Sequence, residues 1–207
     1  MRYVYLLLVL LAGVATVTPA VAGWSTHSRT IVFAAEQVDM DATSLATLAH
    51  IESRFQAKAT TRKSTAGGLV AITNPTWRYL VRKYGPQLGV PQGASKYNPR
   101  YNALMAAAYF QENKRYLQAN LATEITDSDA WMGYFFGPDN ARRLLDSYSH
   151  GRADRVLPSI ARSHPSYFYT SSGKARTARE VRTYMREKFR AIGSQYHADI
   201  ESLLART

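Results

Sequence analysis

Apolar and polar residues alternate with a helical period in the stretch that follows residue 41. Four residues recur at spacings of three and four and share one helix face: Leu45, Leu48, Glu52 and Phe55. The pattern predicts a helix that begins at Asp41 or Thr43, either of which could cap it, and that ends near Lys58. Glu52 then lies on the apolar side of this helix, and its carboxyl group is the first candidate for chemistry.

The same period predicts further helices over most of the chain. They begin near Asn74, after Tyr97 in an alanine-rich segment, at Asp127 or Asp129, at Asn140 after a stop at Gly137–Pro138, and at Thr177. The last is a long basic helix, because Thr177 and Glu180 form a capping box and apolar residues keep helical spacing as far as Leu203. The alanine-rich helix is predicted to be central, since small side chains allow close helix packing.

Three segments lack this period. Residues 24–40 are predicted to form an irregular entry segment, residues 85–100 an ordered surface connection, and residues 150–174 the least regular part of the chain. The sequence shows no internal repeat and no low-complexity tract. These patterns together indicate a mainly α single domain with at most a minimal β element.

The first 22 residues have the layout of a secretory signal. Arg2 precedes an apolar run from Val4 to Val14, and Ala20-Val21-Ala22 supplies the small residues of a cleavage site. We therefore expect export to the periplasm or cell envelope, with cleavage after Ala22 and a mature chain that starts at Gly23. An uncleaved anchor is the alternative, although the apolar run is short for a helix that spans a bilayer.

Composition narrows the choice of partners. The chain has 26 Lys and Arg against 15 Asp and Glu, a formal charge of +11, and no cysteine. For an exported protein this charge predicts attraction to a cell-wall polymer, a membrane surface or extracellular nucleic acid; a solvated basic surface is the simpler alternative. Without cysteine the chain has neither disulfides nor thiolate chemistry.

Most catalytic motifs are missing from the sequence. The five histidines are scattered, and none forms a His-x-x-x-His pair, which argues against a metal site. There is no Gly-x-Ser-x-Gly motif, and Ser171 with Lys174 is an isolated Ser-x-x-Lys without its companion motifs. No phosphate-binding glycine loop precedes Lys174.

A single protonated carboxyl group still has a task in glycoside cleavage, where it donates a proton to the departing glycosidic oxygen. Apolar surroundings disfavour the charged form, so they would raise the pKa of Glu52 and keep its proton in place near neutral pH. The alternative is that Glu52 pairs with an arginine and has no chemical role.

Several segments resemble one protein family. "IESRFQAKAT" followed by "STAGGLVAITNPTW" resembles the Glu-Ser motif and the Gly-Leu-Met-Gln-Ile segment of the soluble lytic transglycosylase family, whose fold is like that of goose-type lysozyme. "NPRYNALMAAAYF" is similar to the family's alanine-rich helix. "GYFFGPDNARRLL" resembles its Tyr-x-x-Gly element and, with "SYFYTSSGKARTAREV", the versions found in phage and conjugation-linked wall-cutting enzymes.

The similarity covers roughly residues 40–190. We accordingly divide the chain into a signal peptide at 1–22, an entry segment at 23–40, a lysozyme-like domain at 41–190 and the end of the long basic helix at 191–207.

The resemblance implies a mechanism and the residues that perform it. The substrate is peptidoglycan, cut between N-acetylmuramic acid and N-acetylglucosamine to leave a 1,6-anhydromuramic end. Glu52 would be the general acid and then the general base, Ser53 would orient it, and Tyr134 would hydrogen-bond near the carboxyl group. Gly68 and Leu69 would let the glycan approach the backbone. The substrate's own acetamido and 6-hydroxyl groups would replace the second carboxylate, which the sequence near Glu52 lacks.

The sequence departs from the family pattern at three positions. Ala71, a predicted substrate-binding position, stands where glutamine is usual, so one hydrogen bond to sugar or peptide is missing. Val70 replaces methionine, which is a conservative change in a pocket wall, and Phe135 replaces the asparagine that often follows the tyrosine.

Two other functions stay open at this stage. A hydrolytic muramidase would share the acid but need a second carboxylate or a positioned water, and a non-catalytic relative would bind peptidoglycan or serve as a secretion scaffold. Peptidoglycan strands are the expected partner of a monomeric protein, with no metal, no cofactor and no nucleic acid. The basic C-terminal helix is a candidate contact for secretion, conjugation or phage machinery.

Overall fold

The computed structural model describes residues 19–61, 64–147 and 151–206, and these form helices joined by short connections. The helices are α1 (Pro19–Glu36), α2 (Ala42–Ser53), α3 (Asn74–Leu88), α4 (Pro99–Asn120), α5 (Asp127–Phe136), α6 (Pro138–Asp146), α7 (Ala153–Val156), α8 (Pro158–Ser163), α9 (Pro165–Phe168), α10 (Ala178–Gly193) and α11 (His197–Leu204). Within these ranges, extended pairing is limited to isolated bridges, such as those of Gly67 with Thr60 and Ile72. The prediction of a mainly α fold with a minimal β element is confirmed.

α4 lies at the centre of the fold. It packs against α1, α3 and α5, and Ala103, Ala106 and Ala107 on its faces are completely buried. Small side chains let neighbouring helices approach closely, and the buried Phe110 and Leu117 fill the space further along the same helix. The predicted central alanine-rich helix is therefore confirmed.

The prediction of an irregular entry segment at residues 23–40 is wrong, because α1 occupies most of it. A buried stripe runs along this helix at spacings of three and four: Trp24, Ser28, Ile31 and Ala35. The stripe includes a serine and an alanine, so its apolar signal in the sequence is weak, and packing against α2 and α4 stabilises the helix instead. Residues 1–18 lie outside the described residues, and the signal peptide and its cleavage remain predictions.

The prediction of a single long C-terminal helix that continues through residues 191–207 is also wrong. The capping box of Thr177 and Glu180 starts α10 as expected, but the chain leaves the helix after Gly193 and resumes it at His197 as α11. A Cβ atom on Gly193 would lie 2.8 Å from the Thr47 hydroxyl oxygen, so α10 ends in close contact with α2. The turn buries Tyr196 against the rings of Trp24 and Phe55.

The connection after α3 is shorter than predicted, since the helix continues past residue 85 to Leu88. The remaining residues 90–98 are ordered, and the Trp77 indole Nε1 fastens them to α3 by donating to the Ala94 carbonyl oxygen at 3.0 Å. Lys96 in this connection is only 8% exposed. The connection is thus partly an interior element rather than a purely surface one.

The described part of the segment at 150–174 consists of the short helices α7, α8 and α9 separated by bends. Pro158 and Pro165 stand at the first positions of α8 and α9, where proline's missing N–H carries no cost. None of these helices exceeds two turns, so the segment is the least regular part of the described chain, as predicted.

Candidate active site

Glu52 lies in the last turn of α2, with its side chain partly buried. Its Oε1 atom is buried and has no hydrogen-bond partner among the described residues. Among these residues Glu52 forms no ion pair with an arginine. The alternative that Glu52 is a carboxylate paired with an arginine is therefore not supported by the described residues. Burial away from water raises the pKa of Glu52 from its ordinary value of 4.5 to about 7.

The chain turns sharply immediately after Glu52. α2 ends at Ser53 rather than near Lys58, because Arg54 and Phe55 adopt left-handed backbone conformations with φ of 53° and 61°. The Arg54 N–H donates back to the His50 carbonyl oxygen at 2.9 Å and closes the helix. Phe55 is buried as predicted, but the turn and not a continued helix places it in the core.

The residues from Thr65 to Thr73 form a loop beside Glu52, here called the site loop. The Ser53 hydroxyl donates to the Leu69 carbonyl oxygen at 2.6 Å, and the Tyr134 hydroxyl donates to the Val70 carbonyl oxygen at 2.7 Å. Two predicted site residues, one on α2 and one on α5, therefore hold adjacent carbonyl groups of the same loop. Ser53 donates to this loop rather than to Glu52, so any effect of its hydroxyl on the carboxyl group acts through the loop.

Gly68 is required by packing inside the protein. Its φ is +89°, and a Cβ atom there would lie 2.4 Å from the Asn102 Nδ2 atom and 2.5 Å from the Lys96 carbonyl oxygen. Internal packing is therefore sufficient to explain a glycine at this position. Leu69 is fully buried, whereas Ala71, with φ +43°, is partly exposed. Contact of a glycan with these three residues remains a prediction.

Tyr134 lies near Glu52 and packs against a second tyrosine. Burial and the neighbouring Glu52 carboxylate raise the pKa of Tyr134 well above its usual range, so its hydroxyl stays a hydrogen-bond donor. Its ring packs against the ring of Tyr109, with centroids 5.3 Å apart. Tyr109 in turn borders a recess of about 360 Å³, whose other lining residues are Pro75, Thr76, Tyr79, Glu112 and Pro138. Two tyrosine rings therefore line this recess, and one of them packs on Tyr134.

Three aspartates that are distant from Glu52 in the sequence, Asp127, Asp129 and Asp139, have partners elsewhere in the fold. Asp127 accepts from the Ser44 hydroxyl and from Lys114. The buried Asp129 forms an ion pair with the partly exposed Arg182 at 2.8 Å. Asp139 accepts from a tyrosine hydroxyl. In the part of the chain that the structure describes, burial accounts for the raised pKa of Glu52 without a contribution from a neighbouring carboxylate.

Three residues of the site were not predicted. Asn102 is fully buried and bridges the site loop, because its Oδ1 atom accepts from the Val70 N–H at 2.7 Å and its Nδ2 atom donates to the Lys96 carbonyl oxygen at 2.9 Å. Lys96 and Tyr109 are the other two. Only Asn102 carried a signal in the sequence, as a polar residue at the start of an otherwise alanine-rich buried helix.

In the described ranges, no group of three metal-binding side chains comes together. The same part of the chain contains no helix that is both long and apolar enough to cross a bilayer.

The raised pKa of Glu52 predicts a pH-dependent stability. Between pH 4.5 and about 7 the folded state holds a proton that the unfolded chain releases, so the contribution of Glu52 to stability falls as pH rises through this window. At about 1.4 kcal/mol per pKa unit, the loss amounts to about 3 kcal/mol. Denaturant unfolding of wild type and Glu52→Gln at pH 4.5 and pH 8 should show the variant gaining this amount relative to wild type at the higher pH. A pH-independent difference would contradict the assigned pKa.

Comparison with known proteins places this site in a family. The model of the transglycosylase SLT domain matches residues 29–155, which include Glu52, the site loop and Tyr134. A similar solved structure is the X-ray structure of an inactive mutant of lytic transglycosylase Slt from Pseudomonas aeruginosa, in which a glutamine replaces a glutamate. The two share 18% sequence identity with a TM-score of 0.57, over 86% of this chain and 25% of that one.

At this identity the similarity to Slt shows the fold, which is the expected lysozyme-like one, and the chain spans about a quarter of the length of that protein. The family match covers more than half of the chain and includes the candidate active site. The chain therefore belongs to the transglycosylase SLT domain family.

Proposed function

We propose that this protein is a peptidoglycan lytic transglycosylase that uses Glu52 as its single acid and base. It cleaves the β-1,4 bond between N-acetylmuramic acid and N-acetylglucosamine and leaves a 1,6-anhydromuramic end. The observation that carries this proposal is the Glu52 carboxyl group, with a buried and unpaired Oε1 atom and a pKa of about 7. At neutral pH such a group is protonated in a large fraction of the protein molecules, and it can act as a base once it has given up its proton.

The first step is proton transfer from Glu52 to the glycosidic oxygen as the bond to muramic acid C1 breaks. The acetamido oxygen of the muramic residue stabilises the positive charge that develops at C1, and the N-acetylglucosamine part leaves with the proton. In the second step the Glu52 carboxylate takes the proton from the 6-hydroxyl group, whose oxygen attacks C1 and closes the anhydro ring. Glu52 is then protonated again, and no water is consumed.

The surroundings of Glu52 support this intramolecular route over hydrolysis. A hydrolytic enzyme of the usual type needs a second carboxylate to activate water or stabilise the cation. Asp127, Asp129 and Asp139 are bound to Lys114, Arg182 and a tyrosine hydroxyl, respectively. The substrate's own acetamido and 6-hydroxyl groups can take the place of that carboxylate and of water.

The site loop and the aromatic recess support the assignment of a polymeric glycan as substrate. The loop is fixed next to Glu52 by Ser53 and Tyr134, and Tyr109, which packs on Tyr134, borders an open recess of about 360 Å³ that a further sugar could occupy. In the similar Slt structure, a glutamine in place of a glutamate gives an inactive mutant, which is consistent with a carboxyl group as the key catalyst.

The remaining assignments belong to the same proposal. The protein acts outside the cytoplasm as a monomer after cleavage behind Ala22, where the overall positive charge attracts it to the anionic cell wall. The exposed arginines of α10, Arg179, Arg186 and Arg190, offer a contact for secretion, conjugation or phage machinery.

Mass spectrometry of the fragments that the protein releases from purified sacculi tests the proposal. We expect muropeptides with anhydromuramic ends, which are about 18 Da lighter than their hydrolysed counterparts because no water is added. Fragments with reducing ends would identify a muramidase instead, and binding to sacculi without any release would identify a non-catalytic relative.

A further inference from the structure

Lys96 is a buried cation that the proposed mechanism does not use. Its side chain leaves the connection between α3 and α4 and points inward, and the residue is 8% exposed. No carboxylate lies within ion-pair distance of its ammonium group in the part of the chain that the structure describes. A lysine buried without a counter-ion is costly, so the groups that surround it deserve a functional explanation.

The ammonium group of Lys96 is bound by oxygen atoms of the site loop and of the residue that follows it. Nζ donates to the Thr65 carbonyl oxygen, to the Asn74 side-chain oxygen at 2.7 Å and to the Ile72 carbonyl oxygen at 3.4 Å. An ammonium group has three N–H donors and no acceptor, so these three oxygens match its charged form. The cation thus joins the beginning of the loop to its end.

The backbone of Lys96 supports the middle of the same loop. Its carbonyl oxygen accepts from Asn102 Nδ2 at 2.9 Å, while Asn102 Oδ1 accepts from the Val70 N–H at 2.7 Å. The next carbonyl group, that of Val70, accepts from Tyr134. One residue therefore contacts both ends of the loop with its side chain and, through Asn102, the segment that lies against the candidate catalytic residues.

We propose that Lys96 is a positioning residue, whose ammonium group serves as an internal cation that holds the site loop in the conformation required beside Glu52. The inference rests on the proposed function, because it gives the loop a task in catalysis. This positioning role differs from a role in core stability, because the three oxygens that bind Nζ belong to the loop region and none belongs to a core helix face. Removing the cation should release the loop while the helices stay folded.

Chemical rescue of Lys96→Ala tests this directly. The substitution removes three methylene groups and the ammonium group, which together correspond to propylammonium. We expect hydrogen exchange of the Gly67, Gly68 and Val70 amides to accelerate at least 10-fold in the variant, and kcat/KM on sacculi to fall at least 10-fold. Propylammonium should reverse both changes. Propanol, which has the same shape without the charge, should not, nor should sodium chloride at matched ionic strength.

Lys174→Ala, at an exposed lysine, is the matched control and should leave the loop amides unchanged. Lys96→Met fills the same space without charge and keeps the test valid if Lys96→Ala does not fold; its loop amides should exchange at least 10-fold faster than those of the wild type. Wild-type protection in Lys96→Met, or equal rescue by propanol, would overturn the proposal. The exchange readout needs no activity, so a wild type that releases no fragments would refute the proposed function and not the role of Lys96 in the loop.

Discussion

Glu52→Gln is expected to lower the rate of fragment release from sacculi by at least about 100-fold, because general acid and base catalysis contributes roughly 10² to 10⁴. Glutamine has nearly the same shape but can neither donate the proton to the glycosidic oxygen nor accept one from the 6-hydroxyl group. The buried carboxyl position would stay filled, so the loss would report the chemistry and not a cavity.

The measurement compares initial rates of soluble fragment release by wild type and variant at equal concentration. Glu187→Gln is the matched control, since Glu187 is exposed on α10, and it should retain the wild-type rate. Binding of Glu52→Gln to sacculi, followed by co-sedimentation, should persist because the site loop and the recess are unchanged. A variant that released fragments at more than about a tenth of the wild-type rate would show that another group carries the proton.

Backbone strain is concentrated around Glu52. Four non-glycine residues have positive φ in the described ranges, and three of them, Arg54, Phe55 and Ala71, lie directly after α2 or in the site loop. Each left-handed residue of this kind costs of order 1 kcal/mol or more. The surrounding bonds from Ser53 and Tyr134 hold the loop in place. This strain is consistent with a site whose geometry is fixed before substrate binds.

Local signals in the sequence predicted the helix that carries Glu52 and the face on which Glu52 lies. The spacing of Leu45, Leu48 and Glu52 placed the carboxyl group on a buried face, and Asp41 is the N-cap as expected. These features depend on residues within a few turns of one another, where helical periodicity decides the outcome. The end of the helix could not be predicted in the same way, because the turn is formed by Arg54 and Phe55 and contains neither glycine nor proline.

Lys96 and Asn102 support the site loop through long-range contacts, and only Asn102 carried a signal in the sequence. Lys96 and Asn102 lie more than twenty residues from the loop atoms that they bind, and nothing in a lysine within a polar connection indicates burial. α1 is a similar case. Its buried stripe of tryptophan, serine, isoleucine and alanine is a weak apolar signal, and contacts with α2 and α4 stabilise the helix. Tertiary packing decided these features, and local propensity did not.

Gly68→Ala is expected to destabilise the protein by about 4 kcal/mol and to abolish most activity. The left-handed backbone at φ +89° contributes about 1 kcal/mol, and forcing atoms into a filled space adds about 3 kcal/mol. Neither neighbour can yield easily, because one is the Lys96 backbone carbonyl oxygen and the other is Asn102, fixed at both ends by hydrogen bonds.

Gly89→Ala separates the two contributions. Gly89 has a similar positive φ of +65° at the end of α3, but a Cβ atom there would meet nothing within 4 Å, so we expect a loss of only about 1 kcal/mol and unchanged activity. Free energies of unfolding from denaturant titration, measured beside rates on sacculi, provide the comparison. Equal losses of unfolding free energy at both positions would mean that positive φ alone requires the glycines. The close contacts of Gly68 with Lys96 and Asn102 would then not contribute. A larger loss at Gly68 would show that the loop beside Glu52 is held by contacts too close for a single methyl group.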